Sequence, residues 1–250
     1  MKKKLRTFLE LSKNSMNTNV QTLILANNEV TISFKDIKNI HLSVYPPFGE
    51  VRVAAPLQTN LDSLRAYLSS KIGWIKKQQT KFLNQERLSP REFLTKESHY
   101  LRGQRYLLEI VTTAQKPQVL IKHETIQIFA KPNSSKQTKA QILEKWQRAE
   151  LKKDVEKLLV KWQKILELEI NSFTIRKMKT KWGSCSIENK IININLELIK
   201  KPVEYLEYVV VHELVHLIER KHNATFVAYL DKYLPNWQAS KKELNQFILG

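Results

Sequence analysis

Residues 205–222 read YLEYVVVHELVHLIERKH. Tyr205 to Leu217 is apolar almost without interruption and follows Pro202, so the pattern predicts a helix over about 203–219. His212 and His216 are four apart, which puts both imidazoles on one helix face about one turn from each other. Glu213 completes H-E-x-x-H, the order in which a carboxylate beside two metal-binding histidines accepts a proton from metal-bound water. His222 follows six residues after His216, far enough to leave the helix and return from another direction. Three protein ligands leave one coordination position open, as in a catalytic and not a closed structural zinc. Three of the six histidines in the chain fall within these eleven residues. The competing reading, two histidines at the edge of a core, leaves desolvated ring nitrogens without partners. Coordination satisfies them, and ligand type alone admits other divalent metals beside zinc.

Outward from this helix, FTIRKMKTKWGSCSIENKIININLEL at 173–198 alternates around Phe173 and Ile175 and again around Ile192, Ile194 and Leu196. This predicts two antiparallel strands, with a tight segment at Gly183–Ser184 and a turn at Glu188–Asn189. Strand 191–195 is expected to pair with an extended peptide as a cleft edge. Asn193 and Asn195 then share one face, buttressing the helix, meeting substrate, or lying on a wet side. A helix is expected over Ala224–Tyr233, stopped by Pro235, and the closing SKKELNQFILG is a further helix candidate. Candidate oxyanion donors are Tyr229, Tyr233, Lys181 and the backbone amides around Trp182 to Ser184. Glu219 and Asn223 are candidate partners for the second ring nitrogens of the histidines.

The preceding half alternates sheet and helix. Two short apolar segments flank Asn27–Asn28 within 20–34. IHLSVYPP and GEVRVAAP form a hairpin around Pro46, Pro47 and Gly49. Leu61, Leu64, Leu68, Ile72 and Ile75 recur at three or four, predicting one helix from Asn60 or Asp62 through Trp74 towards Phe82. Residues 84–98 are polar and read as a connector between units. Short strands are expected in YLRGQRYLLEIV and KPQVLIKHETIQIFA. From Thr138 to about Glu167 the spacing of Ile142, Trp146, Ala149, Val155, Leu158, Leu159 and Trp162 predicts a long helix. No internal repeat is visible.

The chain has 250 residues, 42 Lys+Arg against 24 Asp+Glu, and a net charge of +18. That excess favours loose association with nucleic acid or another polyanion, or simply a lysine-rich solvated surface. Residues 131–164 carry ten Lys/Arg against four Asp/Glu, the best candidate for a polyanion-binding face. The opening MKKKLRTFLELSKNS lacks the apolar core and cleavage site of a secretory signal, and no apolar run approaches membrane-spanning length, so a cytoplasmic location is expected. One cysteine, Cys185, fits a reducing compartment. A thiol hydrolase is disfavoured because the histidines already have a use, and Ser184 and Ser186 lack a G-x-S-x-G setting.

Taken together, IRKMKTKWGSCS at 175–186, IININLELI at 191–199, YLEYVVVHELVHL at 205–217, and His222 with Asn223 and Phe226 resemble the YgjP-like metallopeptidases, which are related to the SprT-like proteases. VRVAAP at 51–56, GWIKKQ at 73–78 and the helix with Trp146 and Ala149 extend the resemblance over nearly the whole chain. It implies that His212, His216 and His222 are the metal ligands and Glu213 the general base. Gly73 and Val227 depart from residues frequent in the family, without touching the ligand set. The resemblance also brings DNA-attached proteins into view as substrates, although the charge equally suits an acidic protein.

These readings predict an α+β protein: an N-terminal sheet and helix unit over 1–135, then a zincin-like metallopeptidase unit over 136–250 built on the H-E-x-x-H helix. The expected activity is zinc-dependent endopeptidase cleavage of a protein or peptide substrate, with Zn2+ as cofactor, DNA or a DNA-associated protein as a possible partner, and no membrane. The alternatives are a nucleic-acid-binding protein with a structural or vestigial zinc site and a zinc amidohydrolase acting on a small or nucleotide substrate.

Overall fold

The computed structural model describes residues 20–26, 28–45, 48–83 and 91–247. The opening basic segment, Asn27, Pro46, Pro47, residues 84–90 of the polar connector and the closing 248–250, on which several expectations rest, lie outside them. The chain divides between Leu83 and Asn84 into two compact units. The boundary expected at 135 therefore falls inside the second unit. The reason is packing: Leu143, from the helix that follows residue 135, shares one core with Leu108, Ile126 and Ile128 from the strands before it.

In the first unit, β1 (Val20–Leu25), β2 (Asn28–Lys35), β3 (His41–Tyr45) and β4 (Glu50–Pro56) form a sheet in the order β1-β2-β4-β3. The alternating residues Val30, Ile32, Phe34, Val51, Val53 and Ala55 turn one sheet face inward. They pack on Leu64, Leu68 and Ile75 of α1 (Leu61–Ser70) and α2 (Ile72–Leu83). Asn60 caps α1, its side chain accepting from the Asp62 amide at 2.7 Å. The single helix expected through this region is interrupted at Lys71, where the backbone closes α1 by bonding Leu68 O and then restarts as α2. The apolar spacing continues across the break, which conceals it.

The second unit opens with β5 (Ser98–Leu101), β6 (Gln104–Thr112), β7 (Gln118–Lys122) and β8 (Thr125–Ala130), in the order β5-β6-β8-β7. This repeats the plan of the first sheet: two antiparallel flanking pairs around a parallel central pair, β2–β4 in one and β6–β8 in the other. Ile126, Ile128 and Ala130 are buried as Val51, Val53 and Ala55 are. Of these three paired positions only the alanine is the same residue in both sheets, so the repeat survives chiefly as a burial pattern that the sequence does not display.

Helix α3 (Lys136–Leu166) runs from the Ser135 cap to Glu167, whose left-handed φ of 53° ends it. Its buried line is Leu143, Gln147, Leu151, Val155, Leu159, Trp162 and Leu166. Ala149 is exposed and Ile142 and Trp146 are half-buried, so the inner face is rotated from the expected one. Its four acids are engaged: Glu144 by Arg148 and Lys177, Glu150 by Arg102 and Lys153, Asp154 by Arg102, and Glu156 by Lys152.

Three strands follow, β9 (Ser172–Arg176), β10 (Gly183–Ser186) and β11 (Ile191–Asn195), ordered β10-β11-β9. The two strands expected to be antiparallel, β9 and β11, are parallel, and β10 forms the antiparallel hairpin with β11. Strand β11 is thus central, with both edges paired, and cannot be the peptide-binding edge. After a 3-10 turn at Leu196–Lys200 come α4 (Val203–Val215), α5 (Ala224–Tyr233) and α6 (Trp237–Leu244). Ile192, Ile194, Leu196, Val210, Val211, Leu214, Phe226 and Leu230 join the core beneath the sheet. No helix among the described residues is long and apolar enough to cross a membrane.

Asn195 holds the turn between β9 and β10. It is fully buried, and its amide donates to Met178 O and Lys181 O, each at 2.8 Å. Asn193 donates to Ser184 Oγ and accepts from Thr174 Oγ1, tying β11 to both neighbours. Both asparagines are therefore internal buttresses. Asn195→Ala leaves two carbonyls unpaired and is expected to cost about 2–4 kcal/mol, read as a lowered urea midpoint with an unchanged slope.

Candidate metal centre

Helix α4 carries Tyr208, Val209, His212 and Glu213, and His216 stands at its C-terminal cap. The helix ends earlier than the apolar pattern suggests, and the turn through Leu217 and Ile218 brings the chain round towards His222. Asn223 then caps α5 by accepting from the Phe226 amide at 3.0 Å. Phe226 lies almost fully buried among the three imidazoles, its ring centroid 4.9, 4.8 and 4.7 Å from those of His212, His216 and His222.

The donor atoms of His212, His216 and His222 all lie within 4.8 Å of one another, and the Nε2 atoms of His212 and His222 are 3.1 Å apart. Two nitrogens on a tetrahedral zinc at ~2.05 Å would be separated by about 3.3 Å, so the rings present fit a shared cation. His216 Nδ1 lies 3.3 Å from the Glu219 carbonyl oxygen. Donation there leaves His216 Nε2 as the free lone pair. The partner of that ring is thus the backbone of Glu219, while its carboxylate accepts from the Lys221 amide. His212 Nδ1 is buried and has no hydrogen-bond partner among the described residues; a cation held at Nε2 does not satisfy this second nitrogen of the ring. Burial is the main cause holding the His212 pKa down, to about 3, and it also lowers that of His216.

Glu213 is 6% exposed, and burial pushes its carboxyl up to about 7 against the opposing pull of Lys181. Space for this side chain comes from Gly183 of β10. A Cβ there would lie 2.6 Å from Glu213 Oε1 and 2.8 Å from Val209 Cγ1. The glycine of KWGSCS is therefore a spacer between sheet edge and carboxylate, a role invisible in sequence because it spans thirty residues. Trp182 both packs and lines the site: its indole donates to Leu244 O at 3.2 Å, and it shares a cavity wall with His212 and Glu213. Tyr208, not singled out by sequence, is buried edge-on to His212 at 5.6 Å. Of the oxyanion candidates, Lys181, Trp182 and Gly183 line this cavity, whereas Tyr229 stacks on Tyr233 and Tyr233 sits edge-on to Trp162. Cys185 is half-buried, its thiol pushed up to about 11 chiefly by burial, which makes it a poor nucleophile.

Two outcomes follow from this geometry. Gly183→Ala displaces Glu213 and is expected to lower peptide cleavage about a hundredfold with metal content unchanged, measured by kcat/KM and metal analysis on one sample. In the chelated protein, a Glu213 pKa of about 7 against its ordinary 4.5 means that the folded state holds the proton more tightly. The stability this gives is complete below about pH 4.5 and is lost as pH rises through about 7. Glu213→Gln should therefore gain stability over the wild type across that window, by at most ~3 kcal/mol, in paired denaturant titrations.

The family model for the YgjP-like metallopeptidase domain matches residues 38–247. Among solved structures, the metallopeptidase zymogen of Pyrococcus abyssi abylysin is 23% identical, with a TM-score of 0.34, over 36% of this chain and 90% of that one. The zymogen of Methanocaldococcus jannaschii jannalysin is likewise 23% identical with a TM-score of 0.34, over 37% of this chain and 88% of that one. No curated protein matches the sequence. With the family domain spanning most of its length, including the three histidines and both sheets of the second unit, this chain belongs to the YgjP-like family and is a metallopeptidase.

Proposed function

We propose that the protein is a zinc-dependent endopeptidase of zincin-like construction, with His212, His216 and His222 holding the metal and Glu213 as general base. The observation that carries this reading is the convergence of three imidazoles beside one buried carboxylate. Zinc bound there supplies Lewis-acid polarisation of a peptide carbonyl and acidifies water. Glu213 takes a proton from the attacking water and returns it to the leaving nitrogen. Burial raises its pKa in the metal-free protein, and a bound cation beside it would favour the carboxylate, the form that accepts the proton. Phe226 keeps the three rings close, and Gly183 keeps the carboxylate beside them.

Substrate placement falls to β10 in this reading. It pairs with β11 on one side only among the described residues, and it begins at the glycine that touches Glu213. An extended peptide adding to that edge would bring a backbone carbonyl past the carboxylate, with main-chain hydrogen bonds giving affinity irrespective of sequence. A DNA-associated target has the net charge of +18 as its support, and the same charge serves an acidic protein substrate.

The test is cleavage of an unfolded protein by the zinc-loaded wild type and Glu213→Gln, with zinc measured in each. The expected result is one zinc per chain in both and a loss of at least about a hundredfold in kcat for the variant. A variant as active as the wild type would overturn the role of Glu213. A zinc-loaded wild type that cleaves no peptide bond would overturn the endopeptidase reading.

A further inference from the structure

Beside Glu213 and His212 lies a cavity of about 210 Å3. It is smaller than the ~300–1,000 Å3 typical of small-molecule sites and suits one side chain. Trp182, Tyr208, Val209 and Leu244 give it apolar walls, and Lys181 and Lys241, with Asn245, add to the polar groups of His212 and Glu213. The two reach it from separate parts of the fold. Lys181 lies two residues before the start of β10, with its carbonyl held by Asn195. Lys241 is on α6, its ammonium 5.3 Å from the Trp237 ring, which stacks on Tyr208. The charge of Lys181 acts on Glu213 and that of Lys241 on His212. Neither lysine has a salt-bridge partner among the described residues. Glu213 is the one carboxylate lining the cavity, and the chemistry proposed above already employs it.

We propose that this cavity receives an acidic side chain, Asp or Glu, from the substrate residue next to the scissile bond, with Lys181 and Lys241 as specificity-determining residues. The proposal rests on the reading of the site as a peptidase centre. A carboxylate entering here exchanges water for two cationic donors in charge-assisted hydrogen bonds, and because both lysines are exposed the attraction is screened by salt. A lysine or arginine side chain meets like charge instead, and the mismatch excludes it. The net charge of +18 acts in the same direction at longer range, drawing acidic chains to the surface at low salt.

Two readouts test this on the full-length zinc-loaded chain. The first is the cleavage-site profile of the wild type on a mixed peptide library. Asp and Glu should be enriched about tenfold at one position adjoining the cut, and Lys181→Glu and Lys241→Glu should each abolish the enrichment. Both lysines are exposed, so folding is preserved and zinc content is expected to match the wild type. The second is calorimetric binding to Glu213→Gln of three otherwise identical peptides: end-blocked with one Glu, end-blocked with Gln in its place, and the Gln peptide with a free C-terminal carboxylate. The Glu peptide should bind about tenfold tighter than either, with the advantage lost in both lysine variants and reduced by salt. Equal binding of the Glu and end-blocked Gln peptides overturns the proposal. An advantage confined to the free C-terminus overturns the side-chain assignment in favour of chain-end recognition. Acid-selective binding with no cleavage by the wild type would sustain this pocket while defeating the endopeptidase reading.

Discussion

Burial of a carboxylate between two half-buried imidazoles on a largely apolar helix is the constraint around which the second unit is arranged. Residues Val209, Val210, Val211, Leu214 and Val215 of α4 are nearly inaccessible, and Glu213 is enclosed among them. Charged and polar groups tolerate such surroundings only with partners, and a lone buried charge costs several kcal/mol. The fold meets part of this demand locally and leaves His212 Nδ1 without a partner among the described residues. His222 returns to the two helix-borne rings, the backbone of Glu219 fixes one of them, and Gly183 leaves a slot for the carboxylate. Stability is given up for a site whose groups a cation can organise.

The small three-stranded sheet positions everything opposite that helix. Its central strand supplies Ile192 and Ile194 to the core on one face and Asn193 to a polar bridge on the other. Asn195, completing the strand, clamps the turn from which Lys181, Trp182 and Gly183 reach the site. Helix α6 closes the opposite wall through the Trp182 bond to Leu244 and the stacking of Trp237 on Tyr208. One face of the cavity is therefore set by β-sheet hydrogen bonding and the other by aromatic packing. Both are anchored on α4.

What could be read from the residues was what is local. The i, i+4 histidines, the adjacent glutamate, the helix start at Asn60 and the helix over 224–233 are short-range features, whereas Asn223, expected beside a histidine ring, instead caps α5. Where neighbours are set by chain segments far apart, the pattern was silent or misleading. Alternation in 191–195 identifies an inner face but says nothing of what pairs at each edge, so a central strand looked like a free one. In α3, Gln147 in the buried line and the large apolar Ile142 and Trp146 at its margin shifted the apparent face. Leu217 and Ile218 prolonged the apolar run past the true end of α4. Gly183, Tyr208 and Lys241 gain their significance only when β10, α4 and α6 are brought together.

The measurement closest to the central claim is zinc K-edge absorption on the full-length, zinc-loaded protein, compared with His216→Ala and His222→Ala. The account predicts one zinc per chain in a four-coordinate nitrogen and oxygen environment with an imidazole scattering signature from three rings, reduced by one in each variant. A wild-type spectrum with fewer imidazoles, unchanged by either substitution, or a protein that takes up no metal would contradict it.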